Sequence, residues 1–312
     1  RQVATNYTVH LASYGYVVVS VDHLERGIAA QATGNLGGAP NQDVTDVENA
    51  LAALAADADL GPVADLDRVV ITGHSAGAGT SARAANLDAI DGFVSISGGP
   101  PVSAVTGETG VRFVTTEGVP NGTYSLEITA VTDADVTVLA DGTETTVPQT
   151  AAIVPLAGGT ATLVSADGTP FAPGTIEVTV AFADKPALVL IAEKDLVVLP
   201  DRSRSLYREL ANDKWLVDIA DAGHNSFTDS CAGILAQGGL QSLVPLIGEA
   251  QVARAEDGCT AAYADPVAVQ QLTAHYTVAF VVHVLDGGDT ASLGPEAVDF
   301  VPGLTLADHQ AG

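Results

Sequence analysis

The stretch Arg68-Val69-Val70-Ile71-Thr72 runs directly into Gly73-His74-Ser75-Ala76-Gly77, and a helical segment of small residues, 78–85, follows. Gly-x-Ser-x-Gly between an apolar strand and a helix is the sequence form of a turn so sharp that its serine is lifted out of the path of the chain. Gly73 and Gly77 stand where side chains would collide across that turn. Ser75 is thereby presented at the C-terminal end of a strand. The backbone N–H of Ala76 points where a carbonyl oxygen gains negative charge during acyl transfer. The same residues permit a plain strand-to-helix turn with an ordinary serine. They also contain Gly77-x-Gly79-x-x-Ala82, which fits a dinucleotide fingerprint. That fingerprint should open where the strand ends, and Gly77 lies a full turn later.

An activated serine needs a base, and the base needs an acid to orient it. Residues 186–195 read as a buried parallel strand ending in an acidic loop, so Asp195 is the candidate acid, with Glu193 in reserve. Lys214-Trp215-Leu216-Val217-Asp218-Ile219 is the next strand. It leads into Asp221-Ala222-Gly223-His224-Asn225-Ser226-Phe227, which makes His224 the candidate base. Serine, acid and histidine then follow three strand ends in the order of one large hydrolase class.

These pieces, with Leu11-Ala12-Ser13-Tyr14-Gly15-Tyr16-Val17-Val18-Val19 and Asp22-His23, resemble the α/β-hydrolases. Within them the chain resembles dienelactone-hydrolase-like and platelet-activating-factor-acetylhydrolase-like esterases, and the related cutinase-type polyester hydrolases. The resemblance covers roughly residues 1–100 and 184–290. It implies a mostly parallel sheet flanked by helices. It also implies a carboxylic-ester hydrolase acting through Ser75, His224 and Asp195 on small or polymeric esters. No cofactor is needed for such a reaction. True dienelactone hydrolases use cysteine as nucleophile, and this chain has serine.

The resemblance also sets an expectation about the start of the chain. In the family order a central strand lies between a strand at residues 16–21 and the strand before Ser75, and its loop supplies a second oxyanion N–H. The chain opens at Arg1 without methionine, in what reads as the helix after that strand. The expectation is therefore an N-terminally truncated hydrolase core, 1–101 and 184–290, lacking its first strands. One oxyanion donor, Ala76, would be present and the second would lie in the missing N-terminal loop.

Between 102 and 183 the pattern changes. Tyr124, Leu126 and Ile128 alternate with polar residues, as on a half-buried strand. Asp141-Gly142 and Asp167-Gly168 each sit between β-rich runs, which is a hairpin signal. These 82 residues read as a small all-β insert of sandwich type: a decorating domain that does no chemistry, a cap over the site, or an accessory module that holds a polymer. After it come a short helix at 203–210 and a C-terminal amphipathic helix carrying Val269, Leu272, Tyr276 and Phe280, ending near Leu285. The Gly/Pro-rich remainder, 291–312, reads as a loose tail.

Net charge is −26, with only 12 Lys plus Arg. Phosphate binding needs clustered cations, so nucleic acid and anionic membrane surfaces are poor partners. The charge reads first as a solvating surface; read functionally, it repels anionic substrates and suits neutral esters better. A base must be neutral to accept a proton, and an acidic field opposes that, so activity is expected to rise through pH 7 toward alkaline values. No apolar run reaches the length of a membrane span. Cys231 and Cys259 are too few for a disulfide scaffold or a zinc site. They read as one disulfide near His224, the alternative being two buried thiols. A bridge would imply a secreted or periplasmic protein.

Other residues weigh less. His74 reads as packing under the turn, and His23 as structural. His275 and His283 share a helix face, but no pattern completes a metal site. Asp133, Asp135 and Asp141 do not match a calcium loop. Phe227 reads equally as acyl-pocket lining or as packing beneath the base. Two other functions fit the same motif: a non-catalytic hydrolase-like scaffold that binds through its insert, and another triad hydrolase, a thioesterase or peptidase.

Overall fold

The computed structural model describes residues 5–21, 23, 42–99, 185–210 and 213–312, together with the backbone of eight strands between 102 and 181. The chain forms α1 (Thr5–Ser13), α2 (Gln42–Ala56), β1 (Val70–His74), α3 (Ala76–Ala84) and β2 (Gly92–Ile96). The insert contributes β3 (Val102–Gly107), β4 (Gly110–Thr115), β5 (Tyr124–Ala130), β6 (Val136–Ala140), β7 (Thr143–Val147), β8 (Ala152–Leu156), β9 (Thr160–Ser165) and β10 (Ile176–Ala181). There follow β11 (Ala187–Ala192), α4 (Pro200–Glu209), β12 (Lys214–Ile219), α5 (Ser230–Ala236), α6 (Val244–Ile247), α7 (Glu249–Glu256), α8 (Pro266–Asp286) and β13 (Leu306–Ala311).

The central sheet has the order β1-β2-β11-β12-β13. The first four strands are parallel, and β13 runs antiparallel to β12. Successive side chains of a strand point to opposite faces, and the two faces are covered by different helices. On one face Val70, Val94, Ile96, Leu188, Leu190, Trp215 and Val217 join a core built on α1 and α8. On the other, Ile71 packs with Val44 and Val47 of α2 and Ala84 of α3. Every residue of β11 is buried, as expected of a parallel strand covered on both sides.

The longest helix is delimited as its sequence implies. The Asp265 carboxylate caps α8 by accepting the N–H of Val267 at 3.1 Å, Pro266 opens the first turn, and Gly287 closes the last in the left-handed region. Val269, Leu272, Tyr276 and Phe280 are fully buried, on the face their spacing predicts.

Three expectations are corrected. Residues 16–21 do not form a strand, and Val17, Val18 and Val19 stay exposed. A cavity of about 580 Å³ lies between this segment and β1. An extended chain joins a sheet only through a neighbour on its edge, and among the described residues β1 pairs on one side only, with β2. Second, the tail is not loose. Leu293, Ala297, Val301 and Leu304 are buried in the core, and β13 pairs with β12 from Trp215↔Ala311 onward. Its glycines mark turns, and β13 covers backbone groups of β12 that would otherwise lie unpaired. Third, only the first Asp-Gly pair has its two flanking strands paired with each other. Ala140 pairs with Thr143 across Asp141-Gly142. The strands flanking the second, β9 and β10, lie in different sheets, because both edges of β9 are already taken by β4 and β6. The described strands of the insert form two antiparallel sheets, β10-β5-β8 and β3-β4-β9-β6-β7.

The buried tail makes a direct demand on stability. Leu293→Ala is expected to lower the free energy of unfolding in urea by about 2–5 kcal/mol, the range for large-to-small changes in a core. A loss under about 0.5 kcal/mol, as at a surface position, would contradict the packing.

Candidate active site

The turn after β1 is set by its backbone. Ser75 has φ 57° and ψ −117°, outside the regions that L-residues with a side chain prefer. Such strain persists only where the surroundings impose it. Here the Ser75 N–H donates to the Ile96 carbonyl at 2.9 Å, which ties the turn to the end of β2. The Ser75 carbonyl already accepts from Ala78 at 3.0 Å, so α3 begins at once. A Cβ on Gly73 would collide with the Gly77 carbonyl, which is why this position is glycine. Gly77 and Gly79 lie inside α3 and not in the turn, so they do not form a dinucleotide loop.

Asp195 follows the end of β11 by three residues. Its Oδ1 accepts the N–H groups of Val197 at 2.8 Å and Val198 at 2.7 Å, which fixes the carboxylate plane. Its Oδ2 meets His224 Nδ1 at 2.8 Å. His224 opens a single 3-10 turn, His224–Phe227, beyond β12. Its Nε2 meets Ser75 Oγ at 2.9 Å. A carboxylate oxygen accepts, so the Nδ1 proton faces Asp195 and Nε2 is left as the acceptor for the Ser75 hydroxyl. Asp195 and His224 are 2% and 5% exposed, while Ser75 is partly open to solvent. The relay thus runs from a buried acid to an accessible hydroxyl.

The remaining candidates fall elsewhere. Glu193 Oε2 accepts the N–H of Asp221 at 3.0 Å, so this carboxylate serves the loop before the base. Phe227 is fully buried in the core beneath the base turn. His23 Nδ1 lies 2.9 Å from Asp46. His275 and His283 bind the carbonyls of Ser292 at 3.0 Å and Gly288 at 2.7 Å, holding loops after α8. Among the described residues no group of three or more His, Cys, Asp or Glu could hold a metal. Among them, too, no helix is long and apolar enough to cross a membrane. Asp133, Asp135 and Asp141 lie outside the described residues.

His74 does more than fill space. Its ring lies 4.6 Å from that of His224, and its Nε2 is 2.9 Å from the His224 carbonyl. A carbonyl accepts, so His74 donates there from its neutral form. Desolvation by the packed turn, followed by the neighbouring His224, pushes its pKa down to about 4.

Cys231 and Cys259 form a disulfide across a separation of 28 residues. It pins the segment around residue 258 to the base turn, where two backbones nearly touch. A Cβ on Gly223 would lie 2.6 Å from Asp257 Oδ1, and Gly258 has φ +90°. The Ser226 hydroxyl accepts from Gly223 at 3.0 Å and donates to the Gly258 carbonyl at 3.1 Å. Sequence reasoning does not single out Ser226, Asp257 or Gly258. The only signal is a turn dipeptide, Asp257-Gly258, directly before a cysteine.

A family model described as the alpha/beta hydrolase family matches residues 4–237, about three quarters of the chain. A comparison with curated proteins found none that matches.

Two measurements check this site. Replacing both cysteines by serine is expected to cost about 3–4 kcal/mol in urea unfolding, the chain-entropy value for a loop of this length. An unchanged urea midpoint would contradict a bridge that constrains the chain. For His74 the folded value lies below the ordinary 6.5, so the unfolded chain takes up its proton first as pH falls. The stability this group contributes is present above pH 6.5 and is lost between 6.5 and about 4. His74→Gln, which keeps a donor, should show a shallower loss of stability across that window. Parallel curves for the two proteins would contradict it.

Proposed function

Because the chain belongs to the alpha/beta hydrolase family, we propose that it is a serine carboxylic-ester hydrolase working through an acyl-enzyme. The observation that carries this reading is the continuous relay Asp195–His224–Ser75, with contacts of 2.8 and 2.9 Å, ending on a strained and accessible serine. His224 Nε2 takes the Ser75 proton as Oγ attacks the ester carbonyl carbon. Asp195 holds the imidazole in the required tautomer and stabilises the cation that forms. The Ala76 N–H, at the start of α3, is assigned as one oxyanion donor. The tetrahedral species collapses, and His224 returns the proton to the departing alkoxide, releasing an alcohol. Water, deprotonated by His224, then attacks the acyl-enzyme and restores Ser75.

The net charge of −26 supports neutral esters, small or polymeric, over anionic ones. The Cys231–Cys259 bridge supports an oxidising compartment, so we also propose that the protein is secreted or periplasmic.

A panel of uncharged p-nitrophenyl esters beside the matching anilides, with polyester film as a third substrate, tests the reading. Hydrolysis of esters far in excess of anilides is expected, and Ser75→Ala should lower kcat by about 10⁴ or more. Faster turnover of anilides would point to a peptidase. Full activity in the Ser75→Ala variant would end the assignment of the nucleophile.

A further inference from the structure

Residues 254–259 form a strap over the turn that carries His224. The Asn225 side-chain amide donates to the carbonyls of Arg254 at 2.9 Å and Ala255 at 3.2 Å. The Asn225 backbone N–H donates to the Asp257 carbonyl at 2.8 Å. Ser226 holds Gly258, and Cys259 is bridged to Cys231. These contacts alone would make the strap a brace for one loop.

The carboxylate of Asp257 reaches a second loop. It is 1% exposed, and its Oδ2 accepts the N–H of Leu196 at 2.9 Å. Leu196 directly follows Asp195, and Asn225 directly follows His224. One residue therefore grips the acid turn with its side chain and the base turn with its carbonyl. Nearer the strands the same two loops are joined at their roots: Lys194 donates to the Ala222 carbonyl at 2.8 Å, and Glu193 accepts from Asp221 at 3.0 Å. The contacting pair Asp195–His224 is thus bracketed on both sides, by loop roots on one and by Asp257 on the other.

Packing gives no reason for a carboxylate here. A buried charge is costly unless it is well partnered, and an apolar side chain of similar volume is the better choice for stability alone. The site is also close to a second negative charge. Tyr263, whose phenol is pushed up to about 12 by burial, then by the charge of Asp257 and a hydrogen bond to it, and last by the charge of Asp195, feels both. What the carboxylate supplies, and an apolar group does not, is a fixed acceptor for the Leu196 N–H, beside its hydrogen bond with Tyr263.

Resting on the relay proposed above, we propose that Asp257 is a positioning residue: by holding the acid turn to the base turn it sets the Asp195–His224 hydrogen bond. It touches neither substrate nor Ser75, so its loss changes turnover and leaves substrate binding alone. A misplacement of about 1 Å in such a constellation can cost about 10² in rate.

The test uses the full chain with its disulfide intact. D257N keeps an acceptor oxygen and removes the charge. D257L fills the volume and removes the acceptor. For each, kcat and KM are measured on an uncharged p-nitrophenyl ester, with the rate at which a fluorophosphonate labels Ser75, and circular dichroism checks the fold. The expectation is a kcat within about threefold of wild type for D257N. For D257L it is a kcat lower by about 10–100-fold, a KM within about twofold, and a labelling rate that falls in parallel. D257L with wild-type kcat, or D257N and D257L equally impaired, would overturn the role of Asp257. Where D257L does not fold, D257A decides by the same criteria. A wild-type chain that neither hydrolyses the ester nor labels would overturn the relay, and this proposal with it.

Discussion

The hydrogen bond between His224 and Ser75 joins residues 149 positions apart, and the parallel sheet is what makes that span possible. β1, β11 and β12 run in one direction, so the loops after them all open at the same edge. Ligand and reaction sites of open parallel sheets lie at that edge as a rule. Here the alignment passes from strand to strand: Ser75 N–H bonds the end of β2 at Ile96, and Ser97 N–H bonds Leu190 of β11. A shift of β2 by one residue would exchange the side chains of its two covered faces and carry Ser75 away from the histidine.

The insert respects this constraint. β2 and β11 are neighbours in the sheet, with Phe93 opposite Ala187, although the whole insert lies between them in the chain. The chain leaves β2 at the edge where Ser75 stands and returns to continue the same sheet. A long excursion at such a point adds little closure cost per extra residue, so the core keeps its geometry whatever the excursion holds.

Ser75, Asp195 and His224 are legible in the sequence because each is a local signal: a buried strand, then a turn with a distinctive residue. The cysteine pair is legible because there are only two. The brace around residue 257 is not. It arises where Gly223 and Gly258 let two backbones approach, and only the folded chain brings those segments together. The tail misleads because Gly287 and Gly303 look like looseness when their work is to turn the chain between buried side chains. Residues 16–21 mislead in the opposite sense. Their valines have strand propensity, but strand propensity without a neighbour on the edge makes no strand.

Trapping the covalent intermediate tests the central claim most directly. A slowly deacylating uncharged ester is mixed with the protein, quenched in acid within the first turnover, and the intact and digested protein weighed by mass spectrometry. The account predicts one acyl group per chain, carried by the peptide that contains Ser75, and none in a His224→Ala variant. Turnover of the ester with no adduct, or an adduct on another residue, would contradict it.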